Sequence, residues 1–248
     1  MRLFVLIPLV GCSVDMVGAN GEYGRVNYQL HTEYYVEERD LTEVGIVANH
    51  EQDIYCQLTE EGQKAAGDDA GRIDHRIVPG TGASLWQDDE DGDVPDVHVT
   101  VNEPGEYAIE AVLDGDVFDR ITLTFEAPSS LQMLSWLREP YAEQFGDESG
   151  TGSETVGEGT QLAFLGIALD EGGDRLAGDI DTTFSATPDW MVVPAQNVYD
   201  VTEEATWQSA TVPSLYFIEP GEVSVTLSDT ENDAAVTRDF TVEAVEQG

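Results

Sequence analysis

From Tyr107 onward the chain alternates. Tyr107, Ile109, Ala111 and Leu113 take every second position, with smaller or more polar residues between them. Period two turns such a set to one side of an extended chain, so it predicts a strand with one buried face. Asp114-Gly115 then supplies a tight hairpin signal, and the return carries Ile121, Leu123 and Phe125 at the same period. The pattern recurs later. Val223, Val225 and Leu227 alternate, a polar turn covers 230–233, and a second return runs over 236–242. Residues 162–169 are almost wholly apolar instead, which predicts a strand buried between two layers. Short strands with turn signals about every ten residues predict antiparallel β-sandwiches, an all-β fold.

The recurrence is more than a shared period. Residues 58–68 (LTEEGQKAAGD) align with 169–179 (LDEGGDRLAGD), with Lys64 facing Arg175. Glu103-Pro104-Gly105-Glu106 returns as Glu219-Pro220-Gly221-Glu222, preceded by Val94-Pro95 and Val212-Pro213. Val44-Gly45 and Val156-Gly157 match further upstream. Order and spacing persist over most of each half, which predicts two homologous domains.

These residues resemble bacterial immunoglobulin-like domains, the kind strung along invasins, intimins and surface lipoproteins. The resemblance is carried by Gly157 to Gln161 leading into the apolar run, the polar turn 170–175 with Leu176 behind it, Phe184-Ser185, and the Pro-Gly-Glu that opens the penultimate strand. It implies two tandem immunoglobulin-like antiparallel β-sandwiches. It also puts Tyr107 at the corner where a tyrosine hydroxyl satisfies nearby backbone, whereas the second half has Val223 there. It says little about ligand.

One stretch departs from the repeat. Leu131, Leu134 and Leu137, at spacing three, allow a short helix before Pro140, but analogy with the first half favours an opening strand followed by a Gly/Ser/Glu-rich insertion over 146–159. The boundary between the halves then falls near Ala127-Pro128.

The extreme N-terminus reads differently. Arg2 precedes eight residues from Leu3 to Val10 that are apolar, and Leu9-Val10-Gly11-Cys12 follows. A short basic start, a greasy run and small residues before a cysteine are the marks of an export signal. This one resembles the lipobox of bacterial lipoproteins, which implies lipidation at Cys12, and Ser13 after it is compatible with sorting to an outer membrane. Eight apolar residues cannot span a bilayer, which takes about 20. The expected layout is a signal peptide over 1–11, an anchor linker over 12–20, and immunoglobulin-like domains over 21–127 and 128–248.

Charge narrows the partners. Fifty acidic residues stand against 10 basic ones, a formal charge of −40, and Lys64 is the sole lysine. Such a surface repels phosphate, which excludes nucleic acid as a partner. Two explanations stay open for it: adaptation to high salt, or carboxylates occupied by divalent cations. With Cys12 acylated, Cys56 is left without an internal disulfide partner and reads as a small buried hydrophobe.

The sharpest candidate site is the acidic run 88–96, DDEDGDVPD. Oxygen ligands at alternate positions around a glycine suit a hard cation, so Asp89, Asp91, Asp93 and Asp96 are the candidate calcium ligands. As an EF-hand the run fails, because Gln87 would be the first ligand and His98 would replace the bidentate Glu. No catalytic motif stands out. His31, His50, His75 and His98 are scattered, and no nucleophile elbow or phosphate-binding glycine loop occurs. Trp86, Trp136, Trp190 and Trp207 allow a sugar-stacking platform, although isolated tryptophans more often pack in sandwich cores or rims.

The expectation is therefore a lipid-anchored, extracytoplasmic envelope protein on the outer membrane. Its role would be a non-enzymatic one in scaffolding, spacing or adhesion, with an envelope protein or glycan as partner. The alternative is a calcium-dependent binding module, for glycan among other ligands, using the 88–96 loop.

Overall fold

A computed structural model describes residues 15–32, 40–88, 94–137, 154–195 and 214–244. In the first half nine strands are described. They are β1 (Asp15–Asn20), β2 (Val26–Thr32), β3 (Gly45–Val47), β4 (Glu51–Leu58), β5 (Asp74–Val78), β6 (Ala83–Gln87), β7 (Val97–Val101), β8 (Gly105–Leu113) and β9 (Asp116–Glu126), with a short helix α1 (Glu60–Ala66) after β4. They form two sheets, ordered β1-β2-β4-β7-β6 and β3-β9-β8-β5. Residues 15–20, read from the sequence as linker, pair with β2 as its antiparallel neighbour. The carboxylate of Asp119, fully buried, accepts the backbone N–H groups of Tyr23, Arg25 and Val26 and so fastens the turn between β1 and β2.

The second half repeats this plan. Its strands are β10 (Ser130–Leu137), β11 (Glu154–Gly157), β12 (Gln161–Leu169), β13 (Thr183–Thr187), β14 (Val192–Ala195), β15 (Ser214–Phe217), β16 (Gly221–Asp229) and β17 (Ala234–Glu243). The sheets are β10-β12-β15-β14 and β11-β17-β16-β13. Strand for strand this is the first half without β1. In both halves the short strand after the first sheet's opening member crosses over to lie parallel to the last strand: β3 on β9, and β11 on β17. Every other pairing between these strands is antiparallel, and an isolated parallel bridge joins Ile46 to Ala177. That crossover, with a five-stranded ladder facing a four-stranded one in the first half and four facing four in the second, is immunoglobulin-like topology, and the described residues are all-β apart from short helical turns. No helix among the described residues is long and apolar enough to cross a membrane.

Alternation explains the cores. Ile109, Ile121, Leu123 and Phe125 meet Tyr28, Leu30, Ile54, Val97 and Val99 in the first core. Val223, Val225, Leu227 and Phe240 meet Leu162, Phe164, Leu215 and Phe217 in the second. The leucines spaced by three in β10 belong to a strand with apolar contacts on both faces, not to a helix. Met133 enters the second core while Leu134 packs against the first. β12 does the same: Leu162 and Phe164 face their own core, while Ile167 belongs to the first core and Leu165 and Leu169 pack on it.

Candidate functional site

Two groups of polar side chains are built by the fold, one where the halves meet and one on the outer face of the first sheet.

At the joint, the turn after β12 carries the chain back along that strand, with Leu176 N–H bonded to the Ala168 carbonyl. This delivers Ala177 to the edge strand β3. The Val47 N–H donates to the Ala177 carbonyl (3.0 Å) and the Ala177 N–H donates to that of Gly45 (2.8 Å). Backbone hydrogen bonding therefore runs across the boundary between sandwiches. The Gln52 amide extends it, accepting from Asp179 N–H (2.9 Å) and donating to the Asp179 carbonyl (3.0 Å). Beside it, His50 Nδ1 accepts from the Asp181 N–H, which leaves Nε2 as the donor to Asp229 Oδ1 at 3.1 Å. Both side chains are out of solvent. Asp229 also accepts from the N–H groups of Glu231 and Asn232 and from the Asn232 side chain, while Asn49 donates to Asn232 Oδ1 (2.7 Å). Val47, Ala168 and Leu176 form a small buried apolar group at the joint.

The second group follows from strand register. Asp53 lies directly across from His98, and His98 directly across from Trp86. Glu51, two residues before Asp53, shares its face. Trp86 and His98 stack with ring centroids 3.6 Å apart and planes within 8°. The Trp86 indole N–H donates to Glu51 Oε2 (2.9 Å), and Trp86 is half-exposed. His98 Nδ1 is 2.6 Å from Asp53 Oδ1, and Nε2 is 3.4 Å from Asp88 Oδ1. Donor atoms of Glu51, Asp53 and His98 all lie within 4.8 Å of one another. Negative charge converges here: burial first, and then Asp53, Asp96, Asp179 and Asp88, push the Tyr55 hydroxyl up from its ordinary pKa.

Of the residues singled out in the sequence, Cys12 lies outside the described residues, as do Asp89, Asp91 and Asp93. Asp96 is described, and its Oδ1 accepts the Cys56 N–H at 2.7 Å. Cys56 is buried, and burial first, then Asp96, push its thiol well up, away from the reactive thiolate. The Tyr107 hydroxyl donates to the Glu103 carbonyl (2.8 Å), a tyrosine corner. Trp190 is exposed. Trp207 and the side chain of Trp136 lie outside the described residues. His50 and His98, scattered in sequence, both enter polar clusters. Asn49, Gln52 and Asp229 carried no signal in the sequence, and Asp179 only its place at the end of the repeat.

No protein-family model matches this sequence, and no curated protein does. Among solved structures, the chain is similar to FdeC, an Escherichia coli adhesin, at 15% identity and TM-score 0.31, covering 86% of this chain and 67% of that one. It is also similar to domains 5-6 of the S-layer protein SbsC, at 13% identity and TM-score 0.33, covering 92% and 99%. A third is the C-terminal 282-residue fragment of intimin, solved with the intimin-binding domain of its translocated receptor, at 12% identity and TM-score 0.28, covering 79% and 60%. The immunoglobulin-like assignment rests on this chain's own strand order and pairing.

Proposed function

We propose that this chain is a non-enzymatic element of the cell envelope, tethered outside the outer membrane by a lipid on Cys12. Its two sandwiches would form one stiff spacer that scaffolds or adheres to an envelope partner. The observation that carries the reading is the joint. Domains that move independently meet through modest, polar interfaces. Here an apolar contact, a backbone ladder at Ala177 and the buried His50–Asp229 pair fix one arrangement. A spacer needs that stiffness, because a free hinge would leave the far sandwich at no defined distance from its anchor.

The test has two parts. Full-length protein is expected in the membrane fraction, and Cys12→Ala in the soluble extracytoplasmic fraction. Small-angle scattering of the released protein is expected to fit one fixed arrangement of the sandwiches. Retention of Cys12→Ala in the membrane removes the anchor, and scattering from two independently tumbling units removes the spacer.

A second reading is calcium-dependent binding, of glycan for example, by the 88–96 run. It draws on one observation: the half-exposed Trp86 ring stacks on His98, whose Nε2 lies 3.4 Å from Asp88 at the start of that run. Glycan capture that requires calcium and is lost in Asp89→Asn/Asp91→Asn would favour it.

A further inference from the structure

We propose that Glu51, Asp53 and His98 bind a divalent transition cation of the zinc(II) class, independently of the spacer role. The argument begins with rigidity. All three donors stand on paired strands, β4 and β7, so register rather than loop ordering brings them together. An imidazole with two carboxylates suits borderline ions such as zinc, whereas calcium and magnesium favour oxygen alone.

Two of the donors are also oriented by a neighbour. His98 is held flat against Trp86. Its Nδ1 faces Asp53, while the opposite nitrogen, Nε2, is buried and has the Asp88 carboxylate at 3.4 Å. With a cation on Nδ1, the ring proton sits on Nε2, where the Asp88 carboxylate at 3.4 Å makes no hydrogen bond with it and acts through its charge. Glu51 keeps its bond from the Trp86 indole through Oε2 and has Oε1 to offer. Asp53 gives up the contact with Nδ1, and the cation takes the place between those two atoms. Without a cation, Glu51, Asp53 and Asp88 surround one imidazole in a chain of net charge −40, so a dication relieves their mutual repulsion. Three protein ligands leave a coordination position open on this exposed face.

The experiment is zinc titration calorimetry on detergent-extracted, EDTA-stripped full-length protein, with nickel quenching of tryptophan fluorescence as the second readout. One zinc per chain is expected. Asp53→Asn and His98→Gln should each weaken it more than tenfold with an unchanged far-ultraviolet dichroism spectrum, and Asp88→Asn, which removes a nearby charge but no ligand, should weaken it by a smaller factor. Asp89→Asn/Asp91→Asn should leave it unchanged. Nickel should quench a fluorescence component that Trp86→Phe removes. Equal zinc uptake by His98→Gln, or displacement by equimolar calcium, overturns the site in favour of diffuse binding to the acidic surface. Loss of zinc in Asp89→Asn/Asp91→Asn overturns it in favour of the acidic run.

Discussion

One stretch of this chain occurs twice and folds two ways. In 58–68, Thr59 caps a helix: its hydroxyl accepts the Gly62 N–H, Glu60 and Glu61 open the first turn and Lys64 stands in the last. In 169–179 the helix is replaced by a turn. Gly172-Gly173 disfavours helix, the Asp170 carboxylate accepts the Asp174 N–H, and Gly173 takes φ +85°. The turned chain runs back along β12 and reaches β3. Both copies then end in a glycine with positive φ, Gly67 at +57° and Gly178 at +97°. Space around Gly67 is open, whereas a side chain on Gly178 would collide with the Gln52 amide. The same Ala-Gly-Asp ending thus closes a helix in one sandwich and seats the neighbouring sandwich in the other.

The turns after β3 and β11 show the same division. Asn49 N–H bonds to Val101 and Gly159 N–H to Phe217, each at 2.7 Å, and both residues have positive φ. Only Asn49 has a side chain to offer, and it reaches Asn232 across the joint.

Gly178→Ala is the change that breaks this comparison hardest. Backbone strain and collision with Gln52 should together cost about 3–4 kcal/mol, against about 2 kcal/mol for Gly67→Ala, where only the backbone conformation is strained. Denaturant titrations of both variants check the ratio. Asp229→Ala should come next, at about 3 kcal/mol, because it strands His50 and several N–H groups. Its signature is cooperativity. A joint that couples the sandwiches predicts one unfolding transition for the parent and two for Asp229→Ala.

The sequence made some of this legible and hid the rest for physical reasons. β9, β16 and β17 bury mainly one face, so alternation announces them, and β8 keeps the alternation in residue type although Ala108 and Glu110 on its other face are buried too. β10 has apolar contacts on both faces, and its leucines at spacing three mimic a helix. α1 has seven residues and no apolar stripe, so periodicity missed it, although Thr59 ahead of Glu60-Glu61 was a usable capping cue. The joint could not be read, because Gln52 and His50 find partners 127 and 179 residues away. Before pairing is known, such polar turn residues look like any solvated loop. Glu51, Asp53 and His98 were hidden in the same way: only register puts two strands 45 residues apart side by side.

Register also pairs His75 with Phe184, since each occupies the second position of its strand, opposite Ala111 and Leu227 respectively. Burial, the largest influence, lowers the His75 pKa from 6.5 to about 4, against weaker opposing effects from Gln87 and Asp74. Between those values the unfolded chain takes up a proton that the folded one refuses. Stability from this residue is therefore complete above pH 6.5, falls as pH drops towards 4, and levels off below, a loss of about 3 kcal/mol. His75→Phe, which copies the second sandwich, should flatten that part of the curve whatever it does to stability at pH 7. Denaturation midpoints at half-unit steps of pH measure it. An unchanged slope would mean that other groups dominate acid unfolding.

The smallest expected difference is at the corner. Tyr107 and Val223 sit two residues after Gly105 and Gly221. Tyr107 packs edge-on against Phe125, with centroids 6.0 Å apart, and its hydroxyl bonds the Glu103 carbonyl. Val223 has no hydroxyl to give and contributes only to its core. Tyr107→Phe keeps the ring and removes one hydrogen bond, so it should cost about 1 kcal/mol, the usual net worth of such a bond. A measured cost near zero would mean that water satisfies the Glu103 carbonyl as well as the tyrosine does. The corner would then lend the first sandwich nothing that the second lacks, leaving the joint and the Asp119-fastened β1 as the features that set the two halves apart.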